Sequence, residues 1–252
     1  MEIITFGGGA RLRYASKELS RLCLEGYDRL ILLPVPTTKD KKHITSTEAP
    51  ITEPQEYARP GALVVGYEIP EKMRDGLLCA GADVLDLGYD EDFLVKNAEI
   101  TAHGAIGHLL TTMPSDVSAL TVGIIGYGRI GRSLTRLLLF LGARTVVYTT
   151  RSSVARELCE NGVMSEKISE ITDFLGCDLI FNTAPAHLLD ENTLGALLES
   201  TKIVDLASGK IFPEKDGILK LASIPEAFYP KTAGHLYAEA VEKYLVGEGG
   251  IC

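Results

Sequence analysis

Gly126-Tyr127-Gly128-Arg129-Ile130-Gly131 follows a short apolar run at residues 121–125 and precedes a long helical pattern. The order strand, tight turn and helix is the one that binds the pyrophosphate of a dinucleotide. Gly126 permits the turn, Gly128 lets the backbone approach the phosphates, and Gly131 lets the helix pack closely on the strand. The unpaired N–H groups of the first helical turn then hold the phosphates. This stretch predicts a dinucleotide-binding fold.

The end of the next apolar run carries an arginine where many such sites carry an acid. Residues 145–148 lead into Thr149-Thr150-Arg151-Ser152-Ser153. A site that prefers NAD places Asp or Glu there, to accept hydrogen bonds from the ribose 2′-hydroxyl. Arg151, flanked by the hydroxyls of Thr150 and Ser152, suits a 2′-phosphate instead, and we predict NADP(H) as the cofactor. The alternative is that Arg151 is an ordinary solvated residue at the start of a helix.

The composition is that of an ordinary globular chain. It has 252 residues, of which 46% are hydrophobic and 23% are charged, with a formal net charge of −9. This length allows one large domain or two modest ones. The negative charge gives no general attraction to nucleic acid or to an anionic membrane, so we expect neither as a partner. An anionic substrate therefore needs a local group of cations.

The cysteines and the first residues bear on the compartment. The five cysteines show no metal-ligand spacing, and we interpret them as buried thiols of a reduced compartment. The N-terminal residues lack the basic region of a signal peptide, and the apolar stretch at residues 137–141 is too short to span a bilayer. These features predict a cytoplasmic protein without a metal site.

Apolar runs alternate with helical patterns along most of the chain, which predicts an α/β fold with parallel sheets. We expect a smaller flavodoxin-like domain at residues 1–97 and a Rossmann-type doubly wound parallel sheet at residues 98–231. The last helix, in residues 232–252, is expected to pack back on the first domain. The segment 39–60 is rich in Pro, Thr, Lys and Glu, and we interpret it as a long surface loop and a candidate lid.

Two polar segments in the first domain follow predicted strands and are candidate substrate sites. In Gly7-Gly8-Gly9-Ala10-Arg11, a glycine-rich turn places Arg11 to bind an anion such as a carboxylate. A plain turn with a surface arginine is the alternative. Residues 33–39 carry Thr37 and Thr38 at the carboxyl end of a strand, where ligands of parallel sheets bind. A rigid turn with solvated hydroxyls is the alternative there.

Two further segments stand at strand ends that are expected to lie over the ribose and the nicotinamide. They are Asn182-Thr183-Ala184-Pro185 and Asp205-Leu206-Ala207-Ser208, and their small residues and amide are useful at such a position. The predicted cofactor-binding residues are Gly126, Gly128, Arg129, Ile130, Gly131, Thr150, Arg151, Ser152, Asn182, Thr183, Ala184, Pro185 and Ala207.

Lys231 opens the last helix, within Tyr229-Pro230-Lys231-Thr232-Ala233-Gly234-His235. A cation at a helix N-terminus is electrostatically unfavourable, because the macrodipole is positive there. We therefore predict a functional role for Lys231, which is to bind a substrate carboxylate or to transfer protons. A solvated lysine is the alternative.

The motifs, taken in order, resemble the A-type subunits of bacterial dipicolinate synthases. The resemblance runs from the turn at residues 7–11 through the turn at 126–131 to residues 230–234, and it covers nearly the whole chain. It implies a two-domain fold related to the D-2-hydroxyacid dehydrogenases. It also implies NADP-dependent formation of dipicolinate, in sporulation, from a dihydro or hydroxytetrahydro precursor. A flavoprotein-like B-type subunit would be the partner, and we expect a homo-oligomer.

The resemblance also assigns roles. Lys231 stands where the related hydroxyacid dehydrogenases have a catalytic histidine. We expect hydride transfer between C4 of the nicotinamide and a ring carbon of a cyclic dicarboxylate held between the domains. Lys231 would orient a carboxylate or transfer a proton, and Arg11, with Thr37 and Thr38, would hold the distal carboxylate.

One departure from the family concerns the residues after Ala207-Ser208, where Arg-Pro-Gly-Gly is usual and this chain has Gly209-Lys210. The guanidinium that would clamp a carboxylate is missing, and lysine is not an equivalent fork. The segment 39–60 is also shorter than the family norm. Two alternatives therefore stay open, an NADP-dependent dehydrogenase of another small acid and a non-catalytic nucleotide-binding partner protein.

Overall fold

The computed structural model describes residues 2–21, 26–168, 176–209 and 211–248. The chain divides into two compact units. The first unit comprises Met1–Asn97 and Pro225–Cys252, and the second unit comprises Ala98–Ile224. No helix in the described ranges is long and apolar enough to cross a membrane.

Strands and helices alternate along the described residues. The strands are β1 Glu2–Thr5, β2 Arg29–Leu32, β3 Ala62–Gly66, β4 Asp83–Asp86, β5 Thr121–Ile125, β6 Arg144–Thr149, β7 Met164–Lys167, β8 Leu179–Asn182, β9 Lys202–Asp205 and β10 Ile218–Lys220. The α-helices are α1 Ala10–Leu19, α2 Glu71–Cys79, α3 Glu91–Thr112, α4 Arg129–Phe140, α5 Ser152–Glu160, α6 Glu191–Leu198, α7 Ile224–Phe228 and α8 Pro230–Glu248.

The first unit is built on a parallel sheet with the order β1-β2-β3-β4. Ile31 and Val64 of this sheet belong to one core cluster with Met73 and Leu77 of α2. The predicted smaller parallel α/β domain is therefore confirmed. Its strand order is sequential, whereas a flavodoxin sheet begins 2-1-3. The reason is that each connection places the next strand on the same side of the preceding one, so that among the described strands none lies on the other side of β1.

Residues 39–60 form a largely exposed loop that packs a few apolar side chains on this sheet. Ile44 is 1% exposed, Ile51 packs against the same core cluster, and Pro54 is buried at the start of the short 3₁₀ helix Glu53–Glu56. The interpretation of this segment as a surface loop and lid is wrong for these side chains. They complete the hydrophobic core although they show no periodicity in the sequence.

The last helix packs against the first. A Cβ at Gly234 of α8 would lie 2.7 Å from the carbonyl oxygen of Arg11 in α1, so only glycine permits this close approach. Tyr237 of α8 is fully buried, and its hydroxyl donates to the carbonyl oxygen of Val65 at 2.8 Å, with that of Leu33 at 3.1 Å. The predicted return of the C-terminal helix to the first domain is confirmed.

The second unit carries a parallel sheet with the order β10-β9-β8-β5-β6-β7. Numbered with β5 as the first strand and read from the β7 edge, this is the order 3-2-1-4-5-6 of a Rossmann sheet. The predicted doubly wound fold is confirmed. The winding direction reverses between β5 and β8, which pair through Ile125 and Asn182 at their carboxyl ends. Ligands of such sheets bind in the crevice outside this reversal point.

Two details differ from the sequence-based expectations. Cys79 and Cys159 are exposed, and Cys177 is buried, so the interpretation of the cysteines as buried thiols is wrong for two of the three in the described ranges. Cys23 and Cys252 lie outside those ranges. β7 at Met164–Lys167 has no apolar pattern because it is an edge strand that pairs only with β6 among the described strands.

Candidate functional site

The glycine turn joins β5 to α4 at the carboxyl end of the sheet. Gly126 has a φ of +96°, which glycine adopts readily, and its N–H donates to the carbonyl of Tyr148 at 2.8 Å. A Cβ at Gly131 would lie 2.3 Å from the carbonyl oxygen of Gly126, so the helix needs glycine to pack on the turn. A Cβ at Gly128 would meet nothing within 4 Å, and no side chain caps α4. This open face and the uncapped N–H groups fit a pyrophosphate.

Arg151 is the N-cap residue of α5 and reaches the glycine turn. Its Nη2 donates to the carbonyl oxygen of Tyr127 at 3.4 Å, and its backbone N–H donates to Oγ1 of Thr149 at 3.3 Å. No side chain caps α5, so its first N–H groups lack a side-chain acceptor. The guanidinium of Arg132 lies 5.6 Å from the ring centre of Tyr127. Two arginines and a helix N-terminus therefore stand beside one turn.

The ends of β8 and β9 place an amide against a carboxylate. Asn182 and Asp205 are 1% and 2% exposed, and Nδ2 of Asn182 donates to Oδ1 of Asp205 at 2.8 Å. The N–H of Ala207 donates to the same oxygen at 3.1 Å. Oγ1 of Thr183 donates to the carbonyl oxygen of Ile125 at 3.0 Å, which ties this segment to the end of β5. The structure thus brings together the two predicted cofactor segments.

The other predicted cofactor residues belong to the same strand and helix ends. Arg129 and Ile130 open α4, and Ser152 opens α5. Thr150 is exposed and precedes Arg151. The N–H of Ala184 donates to Oδ1 of Asn182 at 3.3 Å, and the exposed Pro185 follows.

β10 adds a lysine to this network. Nζ of Lys220 donates to Oδ2 of Asp205 at 2.7 Å and also to the carbonyl oxygen of Ala207. Asp205 and Lys220 line a cavity of about 760 Å³ together with His187 and Gly209. The buried carboxylate therefore has a positive partner at the edge where the family pattern would have placed a guanidinium. Lys210, the other cation considered there, lies outside the described residues.

The guanidinium of Arg11 lies inside the first unit. The residue is 3% exposed, and its Nη2 donates to Oδ1 of Asn97 at 3.1 Å. Nε and Nη1 are buried and have no hydrogen-bond partner. Burial lowers the pKa of Arg11 to about 10, and the nearby carboxylate of Glu226 opposes that shift. The alternative of a surface arginine is therefore wrong, because the side chain is enclosed.

Thr37 and Thr38 follow β2 in the same unit. Thr37 is fully buried, and its Oγ1 accepts the N–H of Tyr67 at 2.9 Å. Oγ1 of Thr38 accepts the N–H of Lys41 at 2.9 Å and donates to Asp40 at 3.3 Å. The alternative of solvated hydroxyls is wrong for Thr37. Both hydroxyls fix the loop after β2.

Lys231 lies in the first turn of α8 and is exposed. Its ammonium makes no hydrogen bond or ion pair with any residue that the structure describes. The two buried residues of the motif, Ala233 and Gly234, follow after the exposed Thr232. The helix therefore packs through its small residues and leaves the cation accessible.

Residues 96–223 match the family model of the D-isomer specific 2-hydroxyacid dehydrogenase, NAD binding domain. The match covers about half of the chain and coincides closely with the second unit. The chain belongs to this family. Membership makes the second unit a nicotinamide-dinucleotide-binding domain, and it supports an oxidoreductase.

Curated relatives from this wider group confirm the resemblance stated above. The A-type subunit of dipicolinate synthase from Bacillus subtilis (strain 168) is 29% identical over 163 residues, which are 62% of this chain and 55% of that protein. Glyoxylate reductase of Thermococcus onnurineus (strain NA1) is 26% identical over 125 residues, 48% of this chain and 37% of that protein. The matched segments thus span about half or less of those relatives.

A solved structure shares the fold along the whole chain. The A-type subunit of dipicolinate synthase from Bacillus halodurans superposes with a TM-score of 0.78 and 23% identity, over 97% of each chain. At this identity the likeness shows the architecture. The order and winding of the two parallel sheets are therefore not peculiar to this member of the 2-hydroxyacid dehydrogenase family.

Three site residues in this family member were missed by sequence reasoning. Lys220, Glu226 and Tyr67 stand beside Asp205, Gly9 and Thr37 in the folded chain. None of the three lies in a motif. Lys220 and Tyr67 reach their partners through the pairing of neighbouring strands, and Glu226 reaches Gly9 through the position of α7. Within the described ranges, no group of three His, Cys, Asp or Glu residues is placed to hold a metal ion.

Proposed function

We propose that this chain is an NADP-dependent oxidoreductase similar to the A-type subunit of dipicolinate synthase, which forms dipicolinate from a dihydrodipicolinate-type precursor. The observation that carries the proposal is the position of Arg151, whose guanidinium reaches the glycine turn from the end of β6. The identity shared with the Bacillus subtilis relative supports the choice of substrate.

The preference for NADP rests on the charges at the end of β6. No acidic side chain stands at residues 149–153 to accept hydrogen bonds from a ribose 2′-hydroxyl. A 2′-phosphate at this position would meet Arg151 and the uncapped N–H groups of α5. Arg132, exposed on α4, adds positive charge on the same turn. These groups favour the phosphorylated cofactor.

The chain holds the cofactor and leaves the redox chemistry to it. When bound, the nicotinamide accepts or supplies a hydride. We assign the pyrophosphate to the N–H groups after Gly128, and the nicotinamide side to Asn182, Thr183 and Ala207. Because Asn182 and Asp205 are buried and hydrogen-bonded to each other, this edge is rigid before the cofactor arrives.

The substrate assignments use the cations of the first unit. Arg11 holds a carboxylate, and Thr37 and Thr38 fix the loop beside it. Oxidation of a dihydropyridine ring releases one hydride to NADP⁺ and one proton. Lys231 is exposed and has no ion-pair partner in the described part of the chain. As an ammonium it orients the second carboxylate, and only as a neutral amine does it accept this proton.

A second candidate is an NADP-dependent dehydrogenase of another small acid. Gly209 stands where the dipicolinate synthase pattern has arginine, so one expected carboxylate clamp is missing. The match to a glyoxylate reductase over 125 residues is compatible with a smaller substrate. A non-catalytic nucleotide-binding protein is a third outcome, and it would bind NADPH without any turnover.

The deciding experiment combines binding with turnover. NADPH and NADH are titrated against the protein by nicotinamide fluorescence, and dihydrodipicolinate oxidation is then followed at the NADPH absorbance band, with 2-hydroxy acids as competing substrates. We expect tighter binding of NADPH and turnover of the dihydropyridine. Turnover of a 2-hydroxy acid alone would support the second candidate, and equal or absent binding of both nucleotides would refute the proposal.

The Bacillus subtilis relative is one component of dipicolinate synthase, which supports a partner protein for this chain. We propose a cytoplasmic location, a homo-oligomeric state and a flavoprotein-like B-type subunit as the partner. Light scattering on the isolated chain gives the number of copies. The same dihydrodipicolinate assay with and without the added flavoprotein shows whether the partner changes the rate.

A further inference from the structure

The guanidinium of Arg11 has no counterion in the part of the chain that the structure describes. Its one hydrogen-bond partner is the neutral amide of Asn97, at 3.1 Å, and its other two nitrogens have none. The side chain is nevertheless enclosed, with the residue 3% exposed. Burying a charge without an opposite charge is costly. An enclosed cation of this kind, next to a glycine turn at a sheet edge, is suited to an anion that arrives from outside.

Glu226 places a carboxylate on the glycine turn near this guanidinium. A Cβ at Gly9 would lie 2.1 Å from Oε1 of Glu226, so the carboxylate lies directly against the turn. Glu226 is the nearby charge that acts most strongly on Arg11. The two groups do not form an ion pair, and the Glu226 carboxylate has no hydrogen-bond partner among the described residues. Opposite charges therefore stand near each other without contact, and no polar contact fixes the Glu226 side chain.

We propose that Arg11 and Glu226 form a specificity-determining pair, which takes a carboxylate attached next to a nitrogen that carries hydrogen, as in a cyclic α-amino dicarboxylate or a protonated cyclic α-imino dicarboxylate. The half-buried Glu226 side chain moves off the turn, the ligand carboxylate pairs with Arg11, and Glu226 accepts a hydrogen bond from the ligand N–H. This inference rests on the proposed function and narrows its substrate class.

The signs of the two charges explain the selectivity. A ligand that presents only carboxylates satisfies Arg11 but meets the like charge of Glu226. A 2-hydroxy acid can donate one neutral hydrogen bond to Glu226. In a ligand with a protonated amine beside the carboxylate, the carboxylate pairs with Arg11 and the amine donates to Glu226. Both are charge-assisted hydrogen bonds, which are about twice as strong as neutral ones. The pair therefore favours nitrogen heterocyclic acids over 2-hydroxy acids.

Two ligands of the same shape test the nitrogen directly. Piperidine-2,6-dicarboxylate carries a protonated ring nitrogen between its carboxylates, and cis-cyclohexane-1,3-dicarboxylate has the same carboxylates and no nitrogen. Calorimetric titration into the full-length protein, without cofactor, gives both affinities. We expect the piperidine acid to bind about tenfold more tightly, the factor that a hydrogen bond to a charged group contributes. Equal affinities, or no binding of either acid, would overturn the proposal.

Two variants assign the effect to Glu226. Glu226→Gln should remove most of the preference between the two acids, because the carboxylate is replaced by an amide of the same shape. Gly9→Ala keeps the carboxylate but displaces it, since the new Cβ would overlap Oε1, and it should reduce the preference as well. Glu199→Gln, an exposed change in the second unit, is the charge-matched control and should leave the preference intact. A preference retained in Glu226→Gln would refute the assignment.

Arg11→Lys tests the other half of the pair. It keeps the charge but loses the planar guanidinium that can donate two parallel hydrogen bonds to a carboxylate, so both acids should bind at least about tenfold more weakly. Thermal unfolding should show that the variant still folds. Unchanged binding would refute the role of Arg11. NADPH titration of the same variants separates this inference from the proposed function, because a protein that binds neither nucleotide fails the earlier proposal and not this one.

Discussion

Lys220 at the end of β10 donates to the carboxylate of Asp205 at the end of β9, with Nζ 2.7 Å from Oδ2. The Asp205 side chain is 3% exposed, and Asn182 on β8 donates to its other oxygen. Three neighbouring strand ends thus hold one buried negative charge that is balanced by one positive charge. The edge assigned to the nicotinamide is therefore close to neutral in this family member.

Lys220→Met should destabilise the second unit. The change leaves the Asp205 carboxylate buried with only neutral donors, and we expect the free energy of unfolding to fall by about 1–3 kcal/mol. Urea denaturation followed by circular dichroism measures it. Lys202→Met, on the exposed first residue of β9, is the control and should cost little. Equal stability of the two variants would contradict the importance of the ion pair.

Arg151→Ala should weaken NADPH binding and leave NADH binding nearly unchanged. Loss of the charge-assisted hydrogen bonds to a 2′-phosphate is expected to raise the Kd for NADPH by about tenfold to a hundredfold. Fluorescence titration with both nucleotides gives the ratio. Arg156→Ala, exposed on α5, removes the same charge farther along the helix and serves as the control. An equal loss of affinity for NADPH and for NADH would argue against a role of Arg151 in discriminating between them.

Two glycine variants should separate packing from phosphate binding. Gly131→Ala brings a Cβ to 2.3 Å from the carbonyl oxygen of Gly126 and should cost about 1–3 kcal/mol of stability. Gly128→Ala meets no protein atom within 4 Å, so the protein should stay stable and lose nucleotide affinity where the backbone must approach the phosphates. Thermal unfolding and NADPH titration on both variants test this. Unaltered NADPH affinity in Gly128→Ala would contradict the assignment of the pyrophosphate to this turn.

Arg11→Met should stabilise the protein while abolishing anion binding. Burial lowers the pKa of Arg11 to about 10, so the folded chain binds this proton less tightly than the unfolded chain does. The charged form therefore costs stability throughout the range below that pKa, and the cost is relieved only as the pH rises through it. We expect a gain of about 1–3 kcal/mol that is the same at neutral pH and at about pH 9. A loss of stability would show that Arg11 has a structural role.

The sequence predicted the nucleotide half well because its signals are local. Residues 126–131 contain their own turn and helix start and directly follow a strand, and these local features indicated a Rossmann-type fold without any long-range information. The end of β6 could be located in the same way, because one helix and one strand separate it from the glycine turn; the preference for NADP that we read from Arg151 stays a prediction.

The substrate half depends on contacts that no local pattern encodes. Arg11 was singled out, but nothing in the sequence distinguished a buried arginine from a surface one. Glu226 lies more than two hundred residues from Gly9 and meets it only through the position of α7. Ile44 was assigned to a surface loop because its apolar neighbours are irregularly spaced, although the folded segment uses them to complete the core.

The return of α8 to α1 makes the first unit discontinuous along the chain. Gly234 fits against the backbone of Arg11, and Tyr237 donates to carbonyl oxygens at the ends of β2 and β3. These surfaces of α1, β2 and β3 therefore stay uncovered until α8 is synthesised, which happens after the whole second unit. The nucleotide-binding unit, by contrast, is one uninterrupted stretch. During synthesis, the nucleotide-binding unit is therefore complete before α8 exists and can fold first, whereas the sheet β1–β4 gains its contacts with α8 only afterwards.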